Sequence, residues 1–71
     1  MSASGTELEA LKIVAEQEKE TTAHTVSRKM RIDPNYARLV LTSLARADYL
    51  DLLASGRFRI TPKGKRTLGK R

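Results

Sequence analysis

The residues best suited to chemistry in this chain are basic, and two of them alternate with apolar residues late in the sequence. In the segment Gly56-Arg57-Phe58-Arg59-Ile60, a strand would place Phe58 and Ile60 on one face and Arg57 and Arg59 on the other. The apolar face would anchor such a strand. The two guanidinium groups on the other face suit the phosphates of a polyanion.

The distribution of charge also indicates a polyanionic partner. The chain has a formal net charge of +6 over 71 residues. Its first twenty residues hold five glutamates and two lysines, whereas the rest holds twelve Lys and Arg against three aspartates. The later two thirds are therefore expected to meet the partner, with the first helix turned away from it.

Other kinds of chemistry have little support in this sequence. His24 is the only histidine and there is no cysteine, so no metal site of the usual ligands is expected. Glu16, Glu18 and Glu20 surround Lys19 and are interpreted as a solvated helix end, not as an acid–base pair. So short a chain leaves little room for both a scaffold and a substrate cleft. We therefore expect a protein that is not an enzyme and that needs no cofactor, metal or small-molecule ligand.

The length and the two ends of the chain predict one domain covering residues 1–71. Residues 1–5 are expected to be disordered and residues 69–71 to fray. The start of the chain has neither the basic and apolar pattern of a leader peptide nor an apolar run long enough for a membrane span. A soluble, cytoplasmic protein associated with the nucleoid is the expectation.

An amphipathic first helix is predicted over residues 7–18. Thr6 and Glu9 have the spacing of a capping box at its start. Ile13 falls off the apolar stripe and is expected to be half-buried against a later element, the alternative being a surface for self-association. The stripe itself consists of Leu8, Leu11, Val14 and Ala15, with Ala10 at its edge.

A short second helix and a longer third helix are predicted to follow. Thr21 and Thr22 can cap the second helix, whose apolar side carries Ala23, Val26 and Met30. The third helix is predicted over residues 33–46, because Asp33 suits an N-cap and Pro34 suits the first helical position. At 100° per residue its inward side chains are Ala37, Val40, Leu41 and Leu44, and its outward side chains are Asn35, Arg38, Leu39, Thr42 and Arg46.

The remaining residues predict a hairpin and a final helix. Strands are expected at 49–53 and 57–60 around a turn at 54–56, with Gly56 near its tip. Thr61 and Pro62 can begin the last helix, and Leu68 can hold it against the core. The order of elements predicts an α+β, mainly α fold, a winged helix-turn-helix: a three-helix core, a two-stranded β-hairpin wing and a short C-terminal helix.

Three segments resemble winged-helix transcription regulators of bacteria and archaea. Residues 25–36 resemble the helix-turn-helix core of these proteins, and residues 41–50 are similar to the end of their recognition helix. The strand at 57–60 followed by Thr61-Pro62-Lys63-Gly64 resembles the MarR-, PadR- and ArsR-like groups. Asp48 stands where these families usually have Gly. MarR- and PadR-like proteins dimerise through longer terminal helices than this chain carries, so a homodimer is left open.

The resemblance implies a small regulator that binds double-stranded DNA. The recognition helix 33–46 would enter the major groove, and the basic wing 51–60 would contact the backbone or the minor groove. Arg28 and Lys63 would add phosphate contacts. The residues implied to face the groove are Asn35, Tyr36, Arg38, Leu39, Thr42 and Arg46, and those of the wing are Arg57 and Arg59.

Two other functions are compatible with the same sequence. A winged helix can serve as a protein-interaction adaptor without binding DNA, and an exposed Leu39 together with the off-stripe Ile13 would favour that role. RNA binding has less support, because Tyr36, Tyr49 and Phe58 form no stacking platform. For each arginine the simpler alternative is a solvated face of a helix or hairpin.

Overall fold

Four helices and a two-stranded hairpin make up the part of the chain that the computed structural model describes, residues 5–17 and 19–69. The elements follow the predicted order, which confirms the predicted fold class. In chain order they are α1 (Gly5–Glu16), α2 (Ala23–Met30), α3 (Pro34–Arg46), β1 (Leu50–Leu52), β2 (Phe58–Ile60) and α4 (Pro62–Gly69).

Helix α1 begins and ends about one half-turn earlier than predicted. It starts at Gly5, so Thr6 lies inside the helix and the predicted capping box is wrong. The helix ends at Glu16, and Glu18, where the prediction ended it, lies outside the described residues. Of the ends expected to be disordered or frayed, Gly5 and Gly69 belong to helices, and residues 1–4 and 70–71 lie outside the described residues.

One apolar core joins the first three helices to the hairpin. All four predicted inward positions of α3 are buried, as the helical period requires. Ile13 is half-buried and packs against this core, as predicted, whereas Ala15 is exposed and was wrongly placed on the stripe. The buried apolar residues are Ala10, Leu11, Val14, Val26, Ala37, Val40, Leu41, Leu44, Tyr49, Leu50 and Phe58.

A three-residue connection joins α2 to α3. Arg31 ends α2 in the left-handed conformation with φ of 60°, and the Ile32 N–H donates to the Ser27 carbonyl at 3.0 Å. Asp33 then caps α3, because its carboxylate accepts from the Asn35 N–H at 3.1 Å, and Pro34 occupies the first helical position. The predicted start of α3 is confirmed. Such a tight connection fixes the two helices as a helix-turn-helix pair.

The hairpin is shorter than predicted and has an additional partner. Leu50 pairs with Ile60, Asp51 with Arg59, and Leu52 with Phe58. The loop 53–57 closes through Gly56, whose φ of 87° suits glycine. Thr21, predicted as one of two caps for α2, forms an isolated antiparallel bridge with Phe58 instead. Two hydrogen bonds of 2.9 and 2.7 Å join their backbones, and Thr22 alone caps α2.

Candidate nucleic-acid interface

The outward face of α3 is basic and partly apolar, and it contributes nothing to the core. Asn35, Arg38, Leu39 and Arg46 are exposed, and Thr42 is half-buried. Tyr36 and Leu39 retain 48% and 69% of their exposure, which is high for large apolar side chains. The helix contains no acid, so nothing on it offsets the two arginines. The sequence prediction of this face is confirmed as far as exposure is concerned.

A cleft of about 440 Å³ lies beside this face and brings three elements together. Arg38 and Thr42 line it from α3, His24 lines it from the first turn of α2, and Ser55 and Gly56 line it from the tip of the hairpin. The cleft therefore lies between the outward face of α3, the start of α2 and the tip of the hairpin.

Leu52 also lines this cleft and was missed by sequence reasoning. It lies on the same face of β1 as the buried Leu50, yet 56% of it is exposed. Its cross-strand partner Phe58 is buried in the core, whereas the side chain of Leu52 faces the open cleft. The alternation Leu50-Asp51-Leu52 was the signal that could have identified it, because it places a second apolar side chain on the inner face of β1.

Arg28 lies on the outer side of α2, near the same region. It is exposed and lines a shallow cleft of about 340 Å³ with His24, Thr25 and Lys29. His24 therefore borders both clefts and connects the surface of α2 with that of α3. The two basic residues Arg28 and Lys29 lie in the last turn of α2, where a positive charge also favours the helix dipole.

Arg57 and Arg59 differ in their surroundings, although the alternation treats them as equivalent. Arg57 is exposed and its side chain makes no hydrogen bond or ion pair with any described residue. Arg59 faces Asp51 across the hairpin, with Nη2 at 3.8 Å from the carboxylate oxygen and both side chains about half exposed. It also borders a separate cleft with Lys19 and Lys65. The structure therefore does not bring Arg59 together with Arg38 and Thr42.

Lys63 is engaged within the protein. Its Nζ donates to the Ala47 carbonyl at 2.8 Å and lies 4.8 Å from the centre of the Tyr49 ring. Ala47 is the C-cap of α3. The side chain predicted to contact a phosphate thus lies at the C-terminal end of α3.

The end of α3 has the hydrogen bonds of a Schellman motif. Asp48 adopts φ of 73°, its N–H donates to the Ala45 carbonyl at 3.0 Å, and the Tyr49 N–H donates to the Leu44 carbonyl at 2.9 Å. The usual residue at this position is Gly, and aspartate adopts the left-handed conformation at modest cost. The departure from the family pattern at Asp48 therefore leaves the local structure unchanged.

The described part of the chain contains neither a cluster of metal ligands nor a helix that could span a membrane. Within residues 5–17 and 19–69, no three His, Cys, Asp or Glu side chains come together as a metal site would require. Over the same residues, none of the helices combines the length and apolar character needed to cross a membrane.

Solved structures of transcription regulators share this fold. A MarR family protein from Bacillus stearothermophilus superimposes with a TM-score of 0.86 at 19% identity, over 97% of this chain and 51% of that one. IdeR from T. acidophilum gives 0.80 at 24% identity, over 94% and 33%. The Agobacterium tumefaciens repressor BlcR gives 0.71 at 26% identity, over 92% and 28%. The chain spans about half the length, or less, of the structures it matches.

These likenesses confirm the predicted fold, the winged helix-turn-helix domain of transcription regulators. At such identities the likeness concerns the arrangement of the backbone. No protein-family model and no curated protein matches the chain. Because a fold alone does not determine function, the function of this chain depends on the residues at its own surface.

Proposed function

We propose that this chain is a double-stranded DNA-binding domain of a transcription regulator, with α3 as its recognition helix. The observation that carries the proposal is the exposed, acid-free face of α3, which opens onto a cleft shared with α2 and the hairpin tip. The regulators that share the fold support the same assignment. In this proposal the chain acts by binding DNA and is not an enzyme, and it is located in the cytoplasm at the nucleoid.

In this proposal the outward side chains of α3 read the bases. The major groove of B-DNA is about 12 Å wide and admits a helix. Arg38 can donate two hydrogen bonds to guanine, the Asn35 amide can pair with adenine, and Leu39 can contact a thymine methyl group. Thr42 lies one turn after Arg38 and borders the same cleft, so it would contact the adjoining base or sugar.

The proposed phosphate contacts come from residues on either side of α3. Arg57 is the strongest candidate on the wing, because its guanidinium group has no partner among the described residues. Arg28 and Arg46 are exposed and can bind phosphate, and the hydroxyl group of the half-exposed Tyr36 can do the same. Arg59 would contribute less than Arg57, because Asp51 already lies beside it.

A matched pair of wing variants tests this assignment. Arg57→Ala should lower the slope of log affinity against log salt by about 0.9, the value for one phosphate contact on B-DNA. Arg59→Ala is the control, because it removes a charge of the same kind from β2, but from a side chain that Asp51 already offsets. The salt slope of this variant should change by clearly less than that of Arg57→Ala. Fluorescence anisotropy with a labelled random duplex at several salt concentrations provides the measurement. Equal slopes for Arg57→Ala and the parent protein would contradict the wing contact.

Exposed apolar side chains favour one other function, a protein-interaction adaptor. Tyr36, Leu39 and Leu52 are all about half exposed or more, and they lie on α3 and on the hairpin beside it. Retention of the purified protein on random duplex DNA at low and moderate salt separates the two functions. Salt-dependent retention supports DNA binding, and no retention even at low salt supports the adaptor. Selection from a random duplex library would then give the recognised sequence, and a palindromic consensus would indicate a dimer.

A further inference from the structure

A lysine occupies an unfavourable position at the start of α4. Lys63 is the second residue of this helix, and no acid lies in the first turn. The N-terminal end of a helix carries partial positive charge, so a cation there costs some of the stability of α4. A residue that breaks a local rule in this way is expected to be compensated by an interaction elsewhere.

The compensation lies at the end of the recognition helix. The Lys63 ammonium group donates to the Ala47 carbonyl at 2.8 Å, where the dipole of α3 presents partial negative charge. The same group lies 4.8 Å from the centre of the Tyr49 ring, within the range of a cation–π interaction. The charge of Lys63 thus serves α3 rather than the helix to which it belongs.

Thr61, two residues before Lys63, binds the next two carbonyl groups in sequence. The Thr61 hydroxyl group donates to the Asp48 carbonyl at 2.5 Å, and the Thr61 N–H donates to the Tyr49 carbonyl at 3.1 Å. Thr61 and Lys63 therefore bind three consecutive carbonyl groups, those of residues 47, 48 and 49, between the end of α3 and the start of β1. We call residues 61–64 the clasp.

We propose that the clasp fixes the direction of the recognition helix relative to the wing, and that Lys63 is a positioning residue for sequence discrimination and not a phosphate contact. The inference rests on the proposed function. Its reasoning is geometric: α3 would carry the base contacts and β1 begins the wing, and the clasp binds the short segment that joins them. If that segment is loosened, α3 and the wing are no longer held at one angle, and the base contacts of α3 and the backbone contacts of the wing are less readily made together.

Three variants test the proposal with two DNA probes. Lys63→Met removes the charge and the donor, Lys63→Arg keeps both, and Lys65→Met removes a neighbouring charge that makes no contact of this kind. The probes are a duplex selected by the parent protein from a random library and a scrambled duplex of the same composition. Affinities are measured over a series of salt concentrations, at a temperature where circular dichroism shows every variant to be folded.

The expected result for Lys63→Met is a loss of about fivefold in the ratio of selected to scrambled affinity, the size of one helix-terminus interaction. Its salt slope should remain that of the parent protein, Lys63→Arg should restore most of the ratio, and Lys65→Met should leave the ratio unchanged. A slope lowered by about 0.9 would overturn the inference, because it would identify Lys63 as a phosphate contact. An unchanged ratio would overturn it too, since a loss of stability alone weakens both affinities equally.

The proposed function fails in a different and recognisable way. If the parent protein binds neither duplex even at low salt, both the proposed function and the role of Lys63 in discrimination are overturned. If the parent protein binds and discriminates but Lys63→Met discriminates equally well, only the inference about the clasp is overturned.

Discussion

Gly64 allows the close packing of α4 against the start of β1, and replacing it with alanine should destabilise the fold. A Cβ at this position would overlap the Tyr49 carbonyl oxygen and would lie 2.8 Å from Cγ1 of Ile60. The carbonyl oxygen belongs to the backbone and accepts the Thr61 N–H at 3.1 Å, so it cannot move away without breaking that bond. Overpacking of this kind costs about 1–3 kcal/mol.

The net effect of Gly64→Ala is smaller than the steric cost. Alanine is favoured over glycine inside a helix by about 0.5–1 kcal/mol, which offsets part of the clash. A net loss of about 1–2 kcal/mol remains, and it should lower the Tm by about 5–15 °C in a domain of this size. Thermal unfolding followed by circular dichroism at 222 nm is the assay.

A second glycine of the same helix provides the control for Gly64→Ala. A Cβ at Gly69 would meet no atom within 4 Å, so Gly69→Ala should leave the Tm unchanged or raise it slightly. A Gly64→Ala variant that is as stable as the parent protein would refute the close approach of α4 to Tyr49, and with it the geometry of the clasp.

Substitutions at two further positions test the ends of α3. Asp48→Gly should stabilise the protein by about 1 kcal/mol, because it relieves the left-handed strain and removes an acid from the negative end of α3; a lower Tm would contradict this account of the Schellman motif. Asp33→Ala should destabilise it by about 1 kcal/mol through loss of the N-cap, whereas Asp33→Asn should be close to the parent protein because asparagine caps equally well. Urea unfolding would measure both, and equal losses for the two Asp33 variants would exclude capping as the cause.

The bounds and the inward face of α3 were predicted well from the sequence because their signals are local. Asp33 and Pro34 specify the start of α3 through contacts within the first turn, and neither depends on the rest of the fold. The inward positions such as Val40 and Leu41 follow from the helical period alone. The exposure of the opposite face, with Arg38 and Leu39, then follows by exclusion.

The role of Lys63 could not be predicted in the same way, because it depends on a contact between distant residues. Its bond with Ala47 exists only because α4 approaches the end of α3 closely, and Gly64 permits that approach. A glycine and a lysine in the first turn of a predicted helix were the available signals. The difference in surroundings between Arg57 and Arg59 was missed for a related reason. The alternation predicts that both side chains lie on one face, but it does not predict that the hairpin register places Asp51 opposite Arg59.

The bridge between Thr21 and Phe58 has a consequence for how this protein folds. Strands of three residues are too short to form a stable hairpin alone, so the wing depends on partners outside it. Because Thr21 precedes α2 and Phe58 follows α3, their two hydrogen bonds join segments separated in sequence by both helices, and we expect them to form together with the helical core. Folding of the wing should therefore be cooperative with folding of the helical core, and the slowest-exchanging amides of the hairpin should include that of Phe58.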